Sequence, residues 1–280
     1  MMLRVLMLAI SGLIASTAGA FSQTASRPPV SQCQAIASNI PDVTFASFKS
    51  PDIQLAQATA KEEVKISFIG HSTYLIESPG GVTIATDYNG VFRPPVTPTV
   101  VTMNRAHSTH FTLNPDPAIQ YVLHGWGEAP GEKADHKVLV GDVYIRNVAT
   151  DIRNRWGDYE TFQENGNSIF IFEVAGLCIG HLGHLHHELT DTHYAEIGRL
   201  DVLMVPVDGG LTMGADSMSR VVKRLRSALI LPMHRTGPPL EQFLGMFAGN
   251  FQIAYAGDSV IRVSMRNLPR QPQILVPKGM

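Results

Sequence analysis

The sequence predicts a layered α/β protein, two sheets stacked as a sandwich with helices on the outside. Two observations carry this. Short apolar or alternating runs, punctuated by Gly, Pro and Asn, recur along the chain, which is the pattern of many short strands. Helical spacing is confined to the second half, so helices are interleaved late among strands.

The 280-residue chain opens with MMLRVLMLAISGLIASTAGA. Arg4, an apolar run too short to span a bilayer, and the small residues Ala18-Gly19-Ala20 form the pattern of a secretory signal cleaved after Ala20. That implies a periplasmic or secreted protein with no integral membrane segment in the mature chain. Residues 21–60 are rich in Ser, Ala, Gln, Pro and Thr and read as a linker. The folded domain is expected over 61–266, followed by a C-terminal tail over 267–280.

Within the domain, Val64–Ile69, Tyr74–Glu77, Val82–Thr86, Thr99–Met103, Ile119–Leu123, Lys137–Val140 and Val143–Val148 read as strands. Ser168–Val174, Leu177–Ile179, Val202–Val205, Ala228–Leu231 and Ile261–Val263 continue the series. Asp216–Arg226 and Leu240–Ala248 carry helical spacing.

Charge narrows the function. Loss of residues 1–20 removes one of 22 basic residues and no acid, leaving 21 against 24, net −3. No basic patch is visible, so a nucleic-acid partner is not expected. Cys33 and Cys178 make no disulfide framework, although an exported chain could join them. Cys178 lies in an apolar run and also reads as a small buried hydrophobe.

Histidine placement is the strongest chemical signal. GHLGHLHHELTDTH, residues 180–193, holds five of the 11 histidines. His71, His107, His110 and His234 each follow a strand-like run where the chain turns, which is where loops gather to build sites. Neutral imidazole is the commonest metal ligand, and several converging from separate loops make a zinc-type site with an open position. His186 and His193 read as solvent-facing, and His124 and His136 as loop residues. Other templates fail. HHELTDTH has Asp191 where a zinc-protease helix needs its second histidine. GHSTY lacks the second glycine of a serine nucleophile elbow. GWGEAPG has the wrong glycine interval for a dinucleotide loop.

IGHSTYLIE, VTIATDYNG, VTMNRAHSTHFT, NGNSIFIFEVAGLCIGHLGHLHHELT, DVLMVPVDGGLTM and ILPMHRTG, in that order, resemble the landmarks of the metallo-β-lactamase superfamily. The nearest branch holds ascorbate-6-phosphate lactonase-like proteins and N-acyl-phosphatidylethanolamine phospholipases. The resemblance spans about Val64 to Phe251. It implies an αββα sandwich with a site at the sheet edges, where a metal-held hydroxide attacks an ester, lactone, amide or phosphodiester of a small-molecule substrate.

The motif is degenerate. The family's His-x-His-x-Asp-His falls on Arg105 to His110, so Arg105 replaces the first histidine and Thr109 the aspartate. The later Gly-Asp falls on Gly183-His184, and the intervening histidine on Thr150. With two carboxylates lost and a guanidinium added, two divalent ions are disfavoured. One ion held by His110, His184 and His234, with His107 as a fourth ligand or proton carrier, is the expectation. Zinc suits an all-imidazole site, manganese or iron one that Asp208 joins.

Further roles follow. Arg105 is expected in the second ion's place, facing an anionic substrate group, with an ordinary surface arginine as the alternative. Asp208 is expected to take a proton from the attacking water or to ligate. Asp87 is expected to orient a ligand histidine, an exposed turn aspartate being the alternative. His71, His181 and His187 are expected just behind the ligands. Asn165 and Asn167 are expected to donate to substrate, though a tight turn also explains them. Trp126 and Trp156, on loops, are candidates to line the pocket. Two non-hydrolytic readings stay open: a degenerate scaffold that binds a ligand or partner without catalysis, and a periplasmic metal-binding protein.

Overall fold

The computed structural model describes residues 30–34, 62–153, 162–235 and 239–280. The expected signal segment, most of the expected linker and Trp156 lie outside the described residues. In chain order the first elements are β1 (Val64–Gly70), β2 (Thr73–Glu77), β3 (Thr83–Ala85), β4 (Val100–Met103), β5 (Tyr121–His124), β6 (Lys137–Val140) and β7 (Val143–Arg153). Then come β8 (Phe162–Val174), β9 (Leu177–His181), α1 (Asp191–Ile197), β10 (Val202–Pro206), α2 (Ala215–Leu225) and β11 (Leu229–Met233). The chain closes with α3 (Pro239–Gly245), β12 (Gln252–Tyr255), β13 (Val260–Val263) and β14 (Gln273–Val276). No helix of the described residues is long and apolar enough to cross a membrane.

The strands form two sheets, one ordered β13-β1-β2-β3-β4-β5 and one ordered β12-β14-β11-β10-β9-β8-β7-β6. Period-two alternation explains how they stack. Val202 and Met204 of β10 face the other sheet, in one cluster with Ile66, Ile76, Phe170, Phe172, Leu231 and Met233. Leu203 and Val205 face the opposite way, into a second cluster with Ile197 of α1, Met218, Val221 and Val222 of α2, and Phe243 of α3. β10 is buried along its whole length because it has apolar partners on both faces and pairs in parallel with β9 and β11. A smaller cluster, Ala85, Tyr88, Val101, Met103 and Ile119, packs with Phe111 and Trp126.

Each strand expected from the sequence is present, Lys137–Val140 with the expected ends and the others with ends shifted. β7 and β8 run furthest beyond expectation, pairing from Tyr144↔Glu173 to Arg153↔Phe162 with a register shift between Thr150 and Ile152. Two departures correct the expected domain limits. The segment expected as a tail supplies β14, which lies between β12 and β11 with Ile274 fully buried. Cys33, expected in a linker, is disulfide-bonded to Cys178 and buried. Ser31 Oγ and the Gln32 backbone N–H donate to the Glu173 carboxylate, which also pairs with buried Arg146 at 2.8 Å.

Candidate functional site

Strand polarity gathers the histidines. β3 and β4 are parallel, as are β9, β10 and β11, so their C-terminal ends lie at common edges where the chain leaves each sheet. Asp87 follows β3, the Asn104–His110 loop follows β4, His184 follows β9, Asp208 follows β10, and His234 follows β11. His71 sits in the turn between β1 and β2. His71, Asp87 and His234 adopt left-handed backbone, at φ 52°, 43° and 54°. Such conformations in non-glycine residues are strained and persist where surrounding structure holds them, here at the site. The His234 backbone N–H donates to the His71 carbonyl at 2.7 Å, tying the two sheets together at this point.

His71, His107, His110 and His234 each offer a ring nitrogen within 4.8 Å of the others. His107 Nε2 is 3.4 Å from His234 Nε2 and 3.2 Å from His184 Nε2, so a fifth imidazole borders the group. Nε2 of His71 and of His110 is buried without a hydrogen-bond partner. Buried polar atoms are rarely left so, and lone pairs converging on one point are what a cation satisfies.

The outward nitrogens are held. His110 Nδ1 donates to Asp87 Oδ2 at 2.6 Å, and Ser72 Oγ stands 3.2 Å away. His107 Nδ1 is 2.7 Å from Thr109 Oγ1, so the threonine in the motif's aspartate position orients a histidine. His234 Nδ1 stands 2.9 Å from Asp208 Oδ2. His184 Nδ1 is 2.7 Å from His186 Nε2. Partners of this kind fix ring orientation and tautomer in metal sites.

Burial disfavours the charged form of His71, His184 and His186. Burial, then the neighbouring His234, His110 and His107, pushes His71 down to about 3. Burial likewise holds His184 well below the ordinary imidazole value and His186 at about 3. Burial alone would raise Asp87, but His110 and His181, with hydrogen bonds from His110 and Asn104, bring it below the usual carboxylate value. Asp208 is lowered against the same penalty by His234 and by the hydroxyl and backbone N–H of Thr212.

Several expected roles are relocated. His71, expected behind the ligands, belongs to the tight group. His181 lies behind it, fully buried, with Nε2 donating to the Ser72 carbonyl and Nδ1 accepting from the Gly183 N–H. His187 is half-buried at the periphery, in the fields of Asp151 and Arg153. Arg105 does not stand within the group. Arg105 is exposed, and its guanidinium lies 5.8 Å from the Trp126 ring centroid. Asp208 is held in place by both oxygens, Oδ1 accepting from the Gly210 and Thr212 N–H groups and Oδ2 from Thr212 Oγ1, beside His234.

The two asparagines are engaged within the protein. Asn167 is fully buried, its Nδ2 donating to Thr150 and Leu182 and its Oδ1 accepting from the His184 N–H at 2.7 Å. Asn165 lies within β8 at the β7–β8 irregularity with φ 53°, its backbone N–H donating to Asp151 and its side-chain amide to the Gly131 carbonyl. His186, expected in solvent, supports His184, and His193 completes the capping box of α1 with Thr190. Sequence reasoning missed Asn104, whose Nδ2 donates to Asp87 Oδ1 at 2.8 Å and whose Oδ1 accepts from the Ser168 N–H. Its place at the head of the NRAHSTH loop was the available signal.

The donor set fits a divalent ion: four imidazoles, with Nε2 of His71 and of His110 buried and unpartnered, and the outer nitrogens of His110 and His107 already engaged. Comparison with known proteins is consistent with this chemistry. A sequence model of the beta-lactamase superfamily domain matches residues 65–234. A UPF0173 metal-dependent hydrolase from Methanosphaera stadtmanae is 26% identical over 224 residues, covering 71% of this chain and 95% of that one. A second, from Thermococcus kodakarensis, is 25% identical over 197 residues, covering 64% and 88%. Among solved structures, a Thermotoga maritima protein proposed to be a Zn-dependent hydrolase of the metallo-beta-lactamase superfamily matches with a TM-score of 0.55 and 28% identity, covering 76% of this chain and 98% of that one.

Proposed function

On the premise that this chain belongs to the beta-lactamase superfamily, with its α/β sandwich fold, we propose that it is an exported, mononuclear metal-dependent hydrolase. The observation that carries the reading is the inward convergence of His71, His107, His110 and His234, with unpartnered Nε2 atoms on His71 and His110. These four residues would hold one divalent ion. An all-imidazole group favours zinc. The bound ion would act as a Lewis acid and make hydroxide available near neutral pH for an ester, lactone, amide or phosphodiester. Asp87, Thr109 and Asp208 orient His110, His107 and His234 toward the centre. Export is supported by the signal-like first twenty residues and by the Cys33–Cys178 disulfide, since disulfides persist in oxidising compartments.

The test is elemental analysis of protein made without a histidine tag, coupled to chromogenic esters, lactones, phosphodiesters and β-lactams with and without chelator. One equivalent of zinc and chelator-sensitive turnover are expected. Absence of metal, or turnover indifferent to its removal, overturns the reading. Metal bound at several sites without turnover would favour a metal-binding protein instead.

A further inference from the structure

His184 stands where the family pattern carries a carboxylate, and its hydrogen bonds decide where its proton lies. A backbone N–H can only donate. The Arg153 N–H lies 2.6 Å from His186 Nδ1, so that nitrogen is an acceptor and the hydrogen of His186 is on Nε2. His186 Nε2 in turn lies 2.7 Å from His184 Nδ1, which must therefore accept. The remaining hydrogen of a neutral His184 is then on Nε2, the nitrogen that faces the group, 3.2 Å from His107 Nε2. His110 is arranged the other way: its Nδ1 donates to the Asp87 carboxylate, so its hydrogen faces outward and its Nε2 is a buried lone pair without a partner.

From this opposition we infer that His184 is not a ligand of the ion but a fixed N–H donor beside it, placed to receive an anionic oxygen of the substrate. The inference rests on the metal-dependent reading above. The donor is rigidly mounted. His184 is 3% exposed, and its own N–H is held by Asn167 Oδ1. Arg153, whose N–H starts the relay, is anchored by its guanidinium to the carbonyls of Gly210, Leu211 and Thr212, in the loop that follows Asp208. Replacing a carboxylate with an N–H donor removes an anion from the site and leaves a position suited to negative charge on the substrate.

Full-length protein labelled with nitrogen-15 on histidine and loaded with cadmium-113 gives a direct readout. Metal–nitrogen coupling is expected at His71, His107, His110 and His234, with none at His184, whose Nε2 keeps its proton. His184→Gln, which retains a side-chain N–H, is expected to keep a full equivalent of metal, whereas His110→Ala loses it. Coupling at His184, or loss of metal from His184→Gln, overturns the inference. If the unmodified protein takes up no metal, the hydrolase reading falls separately. The tautomer of His184 in the metal-free protein then still decides, and a proton on Nδ1 overturns the assignment.

Discussion

Asp87 Oδ2 and His110 Nδ1 meet at 2.6 Å with both side chains fully buried. The contact places the imidazole hydrogen outward and leaves Nε2 as a lone pair at the centre of the histidine group. Asp87→Asn removes the charged acceptor while preserving shape. Metal affinity is expected to fall about 10- to 100-fold, the usual effect of losing such a partner. Chelator competition measures it, and an unchanged affinity would refute the orienting role.

Thr109 offers a gentler version of the same experiment. Its hydroxyl is 2.7 Å from His107 Nδ1, so Thr109→Val should loosen that ring and weaken metal binding about tenfold. Thr109→Ser, which keeps the hydroxyl, should restore it. Equal affinities for the valine and serine proteins would show that the contact does not matter.

The buried imidazoles make the metal-free fold sensitive to mild acid. His71 titrates at about 3 in the folded chain, and His184 well below its ordinary value. In the unfolded chain both titrate near about 6.5, so between those values the unfolded state binds more protons. Stability is therefore full above about pH 6.5 and declines as pH falls toward the folded values. The depressed Asp87 adds a separate stabilising contribution, full above the ordinary carboxylate value of about 3.9 and lost as pH falls below it. Melting temperatures of chelated protein should fall steadily from pH 7 to pH 5, and a flat profile would contradict the burial of neutral rings.

The Cys33–Cys178 bond joins residues 145 apart and clamps the segment around Ser31 onto the sheet beside Glu173. Cys33→Ser should cost about 2–5 kcal/mol, much of it through the unfolded state. At about 2–4 °C per kcal/mol for a domain of this size, calorimetry should show the shift plainly. Insensitivity of the unmodified protein's melting to reductant under unfolding conditions would show that the bond does not form.

Gly183 has φ 63°, and a Cβ there would lie 2.4 Å from Asn104 Nδ2 and from Asn167 Oδ1. These amides hold Asp87 and the His184 backbone. Gly183→Ala therefore combines backbone strain with a clash against two buried partners, and should destabilise by roughly 2–4 kcal/mol. Urea denaturation checks this, and a loss under about 0.5 kcal/mol, the range of an ordinary surface change, would show that the loop relaxes freely.

The fold was legible where patterning is local. β10 and β11 are unbroken apolar runs because both faces are covered, and such runs show in any window of sequence. β12 and β14 escaped notice. β12 is an exposed edge with little pattern, and β14 is short and follows a Pro- and Arg-containing stretch, so its burial comes from neighbours far along the chain. Within the site, residue type and position after strand ends pointed to His107, His110 and His234. The same signal overstated Arg105, Asn165 and Asn167, whose side chains turn to Trp126, Gly131 and Thr150.

By itself the sequence determined a strand-rich α/β sandwich with imidazoles at its strand ends, since periodicity and turn placement are properties of neighbouring residues. Only the tertiary structure decided which imidazoles converge, and which nitrogen of each faces inward. Those choices depend on a carboxylate, a hydroxyl or a backbone N–H delivered from another segment, and a hydrogen-bond partner across a sheet edge leaves no local trace in the chain.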